Sequence, residues 1–500
     1  MNFDFNEIKM DTVVKIAEKE AVVRTSVSEM ESGGVNKILD VSAVGKVVSL
    51  EADGDTARIL GRVNFKVLYL NSDGETRGLD YFADFTELVK NDSLSGKIHA
   101  QIAVIDIDTS IGGGMRLNAV VKITLFKIAE NDKKCLVGGG DDAYVEYADM
   151  KCQKFVTSCV TPFTVGDEYD TKTDVMKVLL TRAESYVDMV TAGMGNVLLS
   201  GASDVTVTYL AGDKVMVKKF HIPYSEELSI SGVEIGQKLS ADVSVKNAKV
   251  VIAGIEGSNV IRVEVENEAT IKAFDVCGEK IVKDVFSIEN ELDVTREIAS
   301  TGVYGGFEFF KDGISGVATL NADMPSVLEV IGVTSASNGI AKAQAEDGKI
   351  IIEGVFFATV LYRDENGLSS VALETPYSLP FLKENALPSD DVVAKGAVMN
   401  VQAKLKRERE IEVSAELGFM TETVRLCETE YIAKIVEGEK KEVNKSAVSV
   451  FVAEEGDTLW DVAKAISARP DDIQAQNPDA RAPFKAGQKL FYFREISFEF

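Results

Sequence analysis

The chain has 500 residues, 45% hydrophobic and 27% charged, with 54 Lys and Arg against 80 Asp and Glu and a formal net charge of −26. That composition is ordinary for a globular protein, and the length holds roughly three or four domains of about 150 residues each. So acidic a surface repels nucleic acid and anionic membrane, which disfavours both as partners.

The longest purely apolar runs are of the Val250–Ala253 kind, far short of the ~20 residues that span a bilayer. Asp4 and Glu7 stand where a signal peptide carries basic residues. The expectation is a cytosolic protein with no signal peptide or transmembrane segment. Five cysteines, Cys135, Cys152, Cys159, Cys277 and Cys427, are odd in number and scattered. They fit free thiols in a reducing compartment and not a disulfide framework. Cys152 and Cys159 lack CxxC spacing and neighbouring histidines, so no zinc site is expected.

In chain order, a β-like run over Ala21–Val27 precedes the strand Arg58–Tyr69. The same order recurs with Lys154–Val160 before Leu198–Tyr209, and with Val285–Leu292 before Ile351–Tyr362. The three later segments align without gaps on Gly61, Gly201 and Gly354 and on Tyr69, Tyr209 and Tyr362. A spacing of roughly 150 residues exceeds the 20–50 of a solenoid and means repeated domains. Period-2 alternation marks strands, with Val67, Val207 and Val360 at one position of a shared face. On the other face the third copy carries Val355, Phe357, Thr359 and Leu361, so the third strand is expected to bury both faces.

Each strand runs into a turn: Asn71–Gly74, Ala211–Asp213 and Asp364–Gly367. Asp-Gly and Asn-Gly favour hairpins. Leu239–Val245 and Ile261–Val265 alternate as a further pair, with Gly254–Gly257 between them. Gly112-Gly113-Gly114 is followed by no Lys-Ser/Thr and reads as a loop between strands, not a phosphate cradle.

The two histidines, His99 and His221, fall in different copies and outside any nucleophile or metal motif. No G-x-S-x-G, P-loop or HExxH occurs, so neither catalytic nor metal-binding residues nor a cofactor is expected. Glu264 with Glu266, and Glu408 with Glu410 and Glu412, share strand faces that read as solvated, like the mixed run Lys404–Glu410.

At the C-terminal end, Gly456-Asp457-Thr458 turns into a helix. Thr458 and Asp461 have capping spacing, and Leu459, Val462, Ala463 and Ile466 form one apolar face. Pro470 opens a second helix with Asp471 and Asp472 in its first turn, and Asn477-Pro478 ends it. Gly487-Gln488 turns into the strand Leu490–Phe493. In so small a core, Trp460 reads as an anchor before a ligand-stacking ring.

This last stretch resembles a LysM module, a βααβ unit that binds and does not catalyse. Together with the three Gly–Tyr copies, over residues 35–128, 172–275 and 325–425, it resembles the SipL-like, SPOCS-repeat spore coat morphogenesis family. The expected fold is mainly β, three related β-sandwich-like domains at 1–145, 146–280 and 281–440 followed by a LysM domain at 446–500. The resemblance implies a non-enzymatic scaffold on the mother-cell side of the forespore surface. Its LysM module would dock on the ATPase of the coat basement layer. The alternative is an anchor on peptidoglycan or N-acetylglucosamine in wall or cortex. In either case Gly456, Asp457, Thr458, Leu459, Ile473, Asn477 and Pro478 are the expected binding residues. Strand edges are natural templates for self-association.

Overall fold

The computed structural model describes residues 2–92, 94, 96–140, 142–253, 259–442 and 447–494. The expected Gly254–Gly257 loop, and residue 446 and residues 495–500 of the expected terminal domain, lie outside them. The fold is mainly β. The first unit runs β1 (Asp4–Ile8), β2 (Thr12–Ser28), a single turn α1 (Glu29–Ser32), β3 (Lys37–Asp53), β4 (Thr56–Leu70), β5 (Thr76–Lys90), β6 (Ile98–Ile111), β7 (Gly114–Ala129) and β8 (Lys133–Gly138). The second comprises β9 (Ala143–Asp170), β10 (Lys177–Ala192), β11 (Asn196–Ala211), β12 (Lys214–Ser229), β13 (Lys238–Ile252) and β14 (Val260–Ser287). The third comprises β15 (Asn290–Thr319), β16 (Glu329–Glu346), β17 (Lys349–Asp364), β18 (Gly367–Leu382), β19 (Asp390–Arg407) and β20 (Glu410–Lys440). The chain then forms β21 (Val448–Val452), α2 (Leu459–Ile466), α3 (Pro470–Gln476) and β22 (Lys489–Phe493).

Each unit is a sandwich of two three-stranded antiparallel sheets. Sheet β3-β4-β5 faces β2-β7-β6, β10-β11-β12 faces β13-β14-β9, and β16-β17-β18 faces β15-β20-β19. The Gly–Tyr strands β4, β11 and β17 are the central strands of the first sheets. Their aligned residues Val63, Phe65, Val67 and Tyr69, then Val205, Val207 and Tyr209, then Phe356, Ala358, Val360 and Tyr362, all point into the cores. Strand pairing repeats in detail. The register slips between Ile38 and Asp40, between Val178 and Leu180, and between Val330 and Gly332. It slips again between Val47 and Ser49, Val187 and Met189, and Ile340 and Lys342, directly after the residues paired with Gly61, Gly201 and Gly354. Such bulges add local twist and curl a strand. The three hairpin turns form as expected, with Gly74, Gly212 and Gly367 at positive φ.

The first bulges bring the units together. The extra residues Leu39, Leu179 and Ile331 meet in one apolar cluster. Beside it Arg182 reaches all three units: Nε donates to Ser42 Oγ at 2.7 Å, Nη1 to the Thr334 carbonyl at 3.2 Å, and Nη2 lies 3.0 Å from Asp40 Oδ2. Ser335 Oγ donates to Asp40 Oδ1 at 2.8 Å. The contacts run in a circle. Gly78 lies against the Leu179 carbonyl, Gly332 against Val217, and Lys37 Nζ donates to Ser369 Oγ at 3.0 Å.

The second sheets extend beyond the sandwiches. Past Phe274, β14 pairs only with β9, and past Arg425, β20 pairs only with β15. These two ribbons and the small β1–β8 sheet pack on one another through Ile8, Met150, Ile281 and Tyr431. Buried Gln153 ties them, accepting from Tyr304 N at 2.6 Å and donating to the Asp11 carbonyl at 2.9 Å.

Two sequence expectations change. The strand more fully buried on both faces is β11 of the second unit: Asp204 is 5% and Thr208 1% exposed, whereas in the third copy Leu361 is buried, Val355 and Thr359 are half-buried and Phe357 is 39% exposed. Asp204 is accommodated on that buried face because it finds partners there. Lys219 and His221 bind Asp204 at 3.0 and 2.8 Å, and Lys219 also donates to the Val398 carbonyl of the third unit at 2.9 Å. The run Val285–Leu292 is not one strand; it ends β14, turns and begins β15. The runs Ala21–Val27 and Lys154–Val160 each complete the second sheet of their own unit. Among the described residues no helix is long and apolar enough to cross a membrane.

Candidate functional site

The terminal β21-α2-α3-β22 unit is built from local rules. Thr458 Oγ1 accepts from Asp461 N at 3.3 Å, while Thr458 N donates to Asp461 Oδ2 at 2.8 Å, a reciprocal cap that starts α2. The two hydrogen bonds from Thr458 hold the Asp461 carboxyl below its usual range. Pro470 opens α3 and supplies the φ a first turn needs. The loop before α2 is closed by Asp457 Oδ2, which accepts from Glu454 N at 2.8 Å. It is tied down by Gly456 N to the Phe484 carbonyl at 3.0 Å and Phe484 N to the Asp457 carbonyl at 2.8 Å.

The expected binding residues divide. Gly456, Thr458 and Pro478 are exposed and Asp457 is half-exposed. Gly456 has φ +94° and open space where a side chain would stand. Leu459 is half-buried, and Ile473 is fully buried beside it. The Ile473 side chain therefore belongs to the core and offers nothing to a partner. Asn477 acts as a strand in miniature: Nδ2 donates to the Phe491 carbonyl at 2.7 Å and Oδ1 accepts from Phe491 N at 2.9 Å. Gln476 does the same for Phe493, accepting from its N at 2.6 Å and donating to its carbonyl at 3.1 Å. Sequence reasoning missed Gln476; its place beside Asn477 was the only signal.

Trp460 anchors the unit to the ribbon. Its ring meets Phe286 edge-on at 5.0 Å, and Nε1 donates to Asp284 Oδ2 at 2.8 Å. Lys464 Nζ lies 2.6 Å and Arg296 Nη2 2.5 Å from the same carboxylate. Burial pulls the Asp284 carboxyl up, but the hydrogen bonds from Lys464 and Trp460 outweigh it and hold it below its ordinary value. The outer sheet face remains apolar and open: Val450 pairs with Phe491 and Val448 with Phe493, and all four are 44–55% exposed.

Elsewhere, His221 is held by Asp204, and His99 is half-buried with its pKa lowered, first by burial and then by Lys272 and Lys97. Glu264 and Glu266 are exposed, and Glu412 pairs with Lys404 across the β19–β20 hairpin at 2.7 Å. Among the described residues, one group offers three metal-ligand atoms together: Cys152, Cys277 and Glu279.

No curated protein and no solved structure matches the chain. One family model does: that of the SipL, SPOCS domain, over residues 174–253. The matched segment takes in β10, β11, β12 and β13, so the second unit of this chain is similar to a SipL SPOCS domain.

Proposed function

We propose that the chain is a non-enzymatic scaffold of endospore coat assembly, working on the mother-cell side of the forespore surface. The SPOCS match in the second unit carries this reading. The same pair of bulges in β3 and β16 supports extending it to the first and third units. The terminal βααβ order, with its capped first helix and proline-led second helix, supports a LysM-type module. In this reading the module docks on the ATPase of the coat basement layer. Gly456, Asp457, Thr458 and Pro478 form the contact, Leu459, Ile473 and Asn477 hold it in shape, and strand edges take further partners or a second copy.

The test uses the full chain. Its binding to the basement-layer ATPase is measured beside binding to chitooligosaccharides and peptidoglycan, for the parent and for Pro478→Arg. ATPase binding weakened at least tenfold by Pro478→Arg, with no saturable glycan binding, is the expected result. Saturable glycan binding without ATPase binding overturns the reading in favour of a wall or cortex anchor.

A further inference from the structure

Cys152 on β9 and Cys277 on β14 are direct partners in the antiparallel ladder, and their Sγ atoms are 2.7 Å apart. Carbon atoms in contact stop at about 3.5 Å, and sulfur is larger. The pair has thus closed most of the way to the ~2.05 Å of a sulfur–sulfur bond. Opposed residues of an antiparallel pair have Cα atoms about 4.5–5.5 Å apart, inside the ~4.4–6.8 Å that a disulfide bridges. No large backbone movement separates the dithiol from the bonded form.

Cys135 and Cys159 are engaged elsewhere, and Cys427 lies on β20 opposite Thr301. Cys135 is fully buried with its Sγ against Met150 Sδ at 4.0 Å, and Cys159 bonds to Thr161 at 3.2 Å. A zinc ion is the rival occupant, because the Glu279 carboxylate stands within 4.8 Å of both sulfurs. Two thiolates on a tetrahedral zinc, each at about 2.3 Å, must stand about 3.8 Å apart. The observed pair is too close for that and close enough to bond.

We propose that Cys152 and Cys277 are a dithiol modification site, converted to a cross-strand disulfide by a low-molecular-weight disulfide. Half-exposed Cys277 is the thiol that solvent reaches, and Cys152, 2% exposed, is the one it cannot. The Cys277 thiolate attacks the reagent, forms a mixed disulfide and expels one thiol. Cys152 then gives up its proton and attacks the Cys277 sulfur, expelling the second. Two protein thiols are oxidised and one small disulfide is reduced to two thiols. Burial and then the Cys277, Glu279 and Asp275 neighbours push the Cys152 thiol up to about 12, which makes the second step slow and faster at higher pH.

The location gives the bond a structural effect. Cys277 lies three residues past Phe274, where the three-stranded sheet narrows to the β9–β14 ribbon that carries the terminal unit. Oxidation staples the base of that ribbon.

The test treats the reduced full chain with an excess of oxidised small-molecule disulfide, with and without denaturant, and counts thiols before peptide mapping. The expected result in the folded chain is one linked peptide pair containing Cys152 and Cys277, with the part-exposed Cys159 and Cys427 at most capped by the reagent. Cys152→Ser should stop at the mixed disulfide on Cys277, and Cys277→Ser should form neither. Retention of all five thiols, linkage through another cysteine, or stoichiometric zinc that blocks oxidation of the parent would each overturn the proposal.

Discussion

Tyr224 stands directly opposite Gly201 across the β11–β12 ladder, and its hydroxyl donates to the Tyr186 carbonyl on β10 at 2.8 Å. The ring lies over the glycine, and the hydroxyl crosses it to the next strand at the second bulge. Tyr377 covers Gly354 in the same way and donates to Asn338; Phe85 covers Gly61 without a hydroxyl. A Cβ on Gly201 would lie 2.0 Å from the Tyr186 carbonyl oxygen, a backbone atom that cannot swing aside. Gly201→Ala is expected to cost about 1–3 kcal/mol, and Tyr224→Phe about 1 kcal/mol. Denaturant unfolding of the two variants checks both values.

Arg182 stands at the meeting of the three units, and Asp40 beside it is almost completely buried. Removing the cation leaves a buried carboxylate whose remaining named partner is Ser335. Arg182→Met is expected to lose about 3–5 kcal/mol. Arg182→Met with Asp40→Leu should recover much of that loss. Thermal unfolding of the single and double variants measures the coupling.

Glu184 faces Asp204 across the β10–β11 ladder. Burial, partly offset by Lys219 and Lys395, raises its carboxyl to about 7. An acid raised in the folded state favours folding while protonated. Its contribution is therefore full below the ordinary carboxylate range and is lost as pH rises through about 7. Relative to its effect at pH 4, Glu184→Gln should raise stability progressively up to pH 8, measured as the difference in Tm between variant and parent.

Trp460 is the only tryptophan in the chain, so its emission reports the seating of the terminal unit alone. Asp284→Ala removes the acceptor of its indole N–H and the shared anion of Lys464 and Arg296. A red-shifted emission and faster amide exchange in α2 and β22 are expected, with the three sandwiches unaffected. Because the Asp284 carboxyl is held below its ordinary value, the parent's emission should stay constant as pH falls until that lowered range is reached.

Much of this architecture is legible in the residues. Alternation assigned the inward faces of β4, β11 and β17, and the Thr458–Asp461 spacing located the start of α2. What stayed hidden depends on partners far along the chain. The burial of Asp204 is one such case, because nothing in β11 tells that Lys219, itself bonded to the third unit, covers it. Ile473 read as a contact residue although it closes the core. Asp284, the seat of Trp460, is 176 residues away, and Cys152 and Cys277 are 125 apart. Local pattern carries no information across such separations.

The circular order of contacts from Gly78 to Leu179, Gly332 to Val217 and Lys37 to Ser369 sets a limit on growth. A row of repeats lengthens by adding members, because each end offers an unused face. Here the last member meets the first, so every joining face is already taken by a neighbour in the same polypeptide. The result is a closed set of three units within one chain, which dilution cannot take apart. Loss of one member would not shorten it but would open two apolar faces at once.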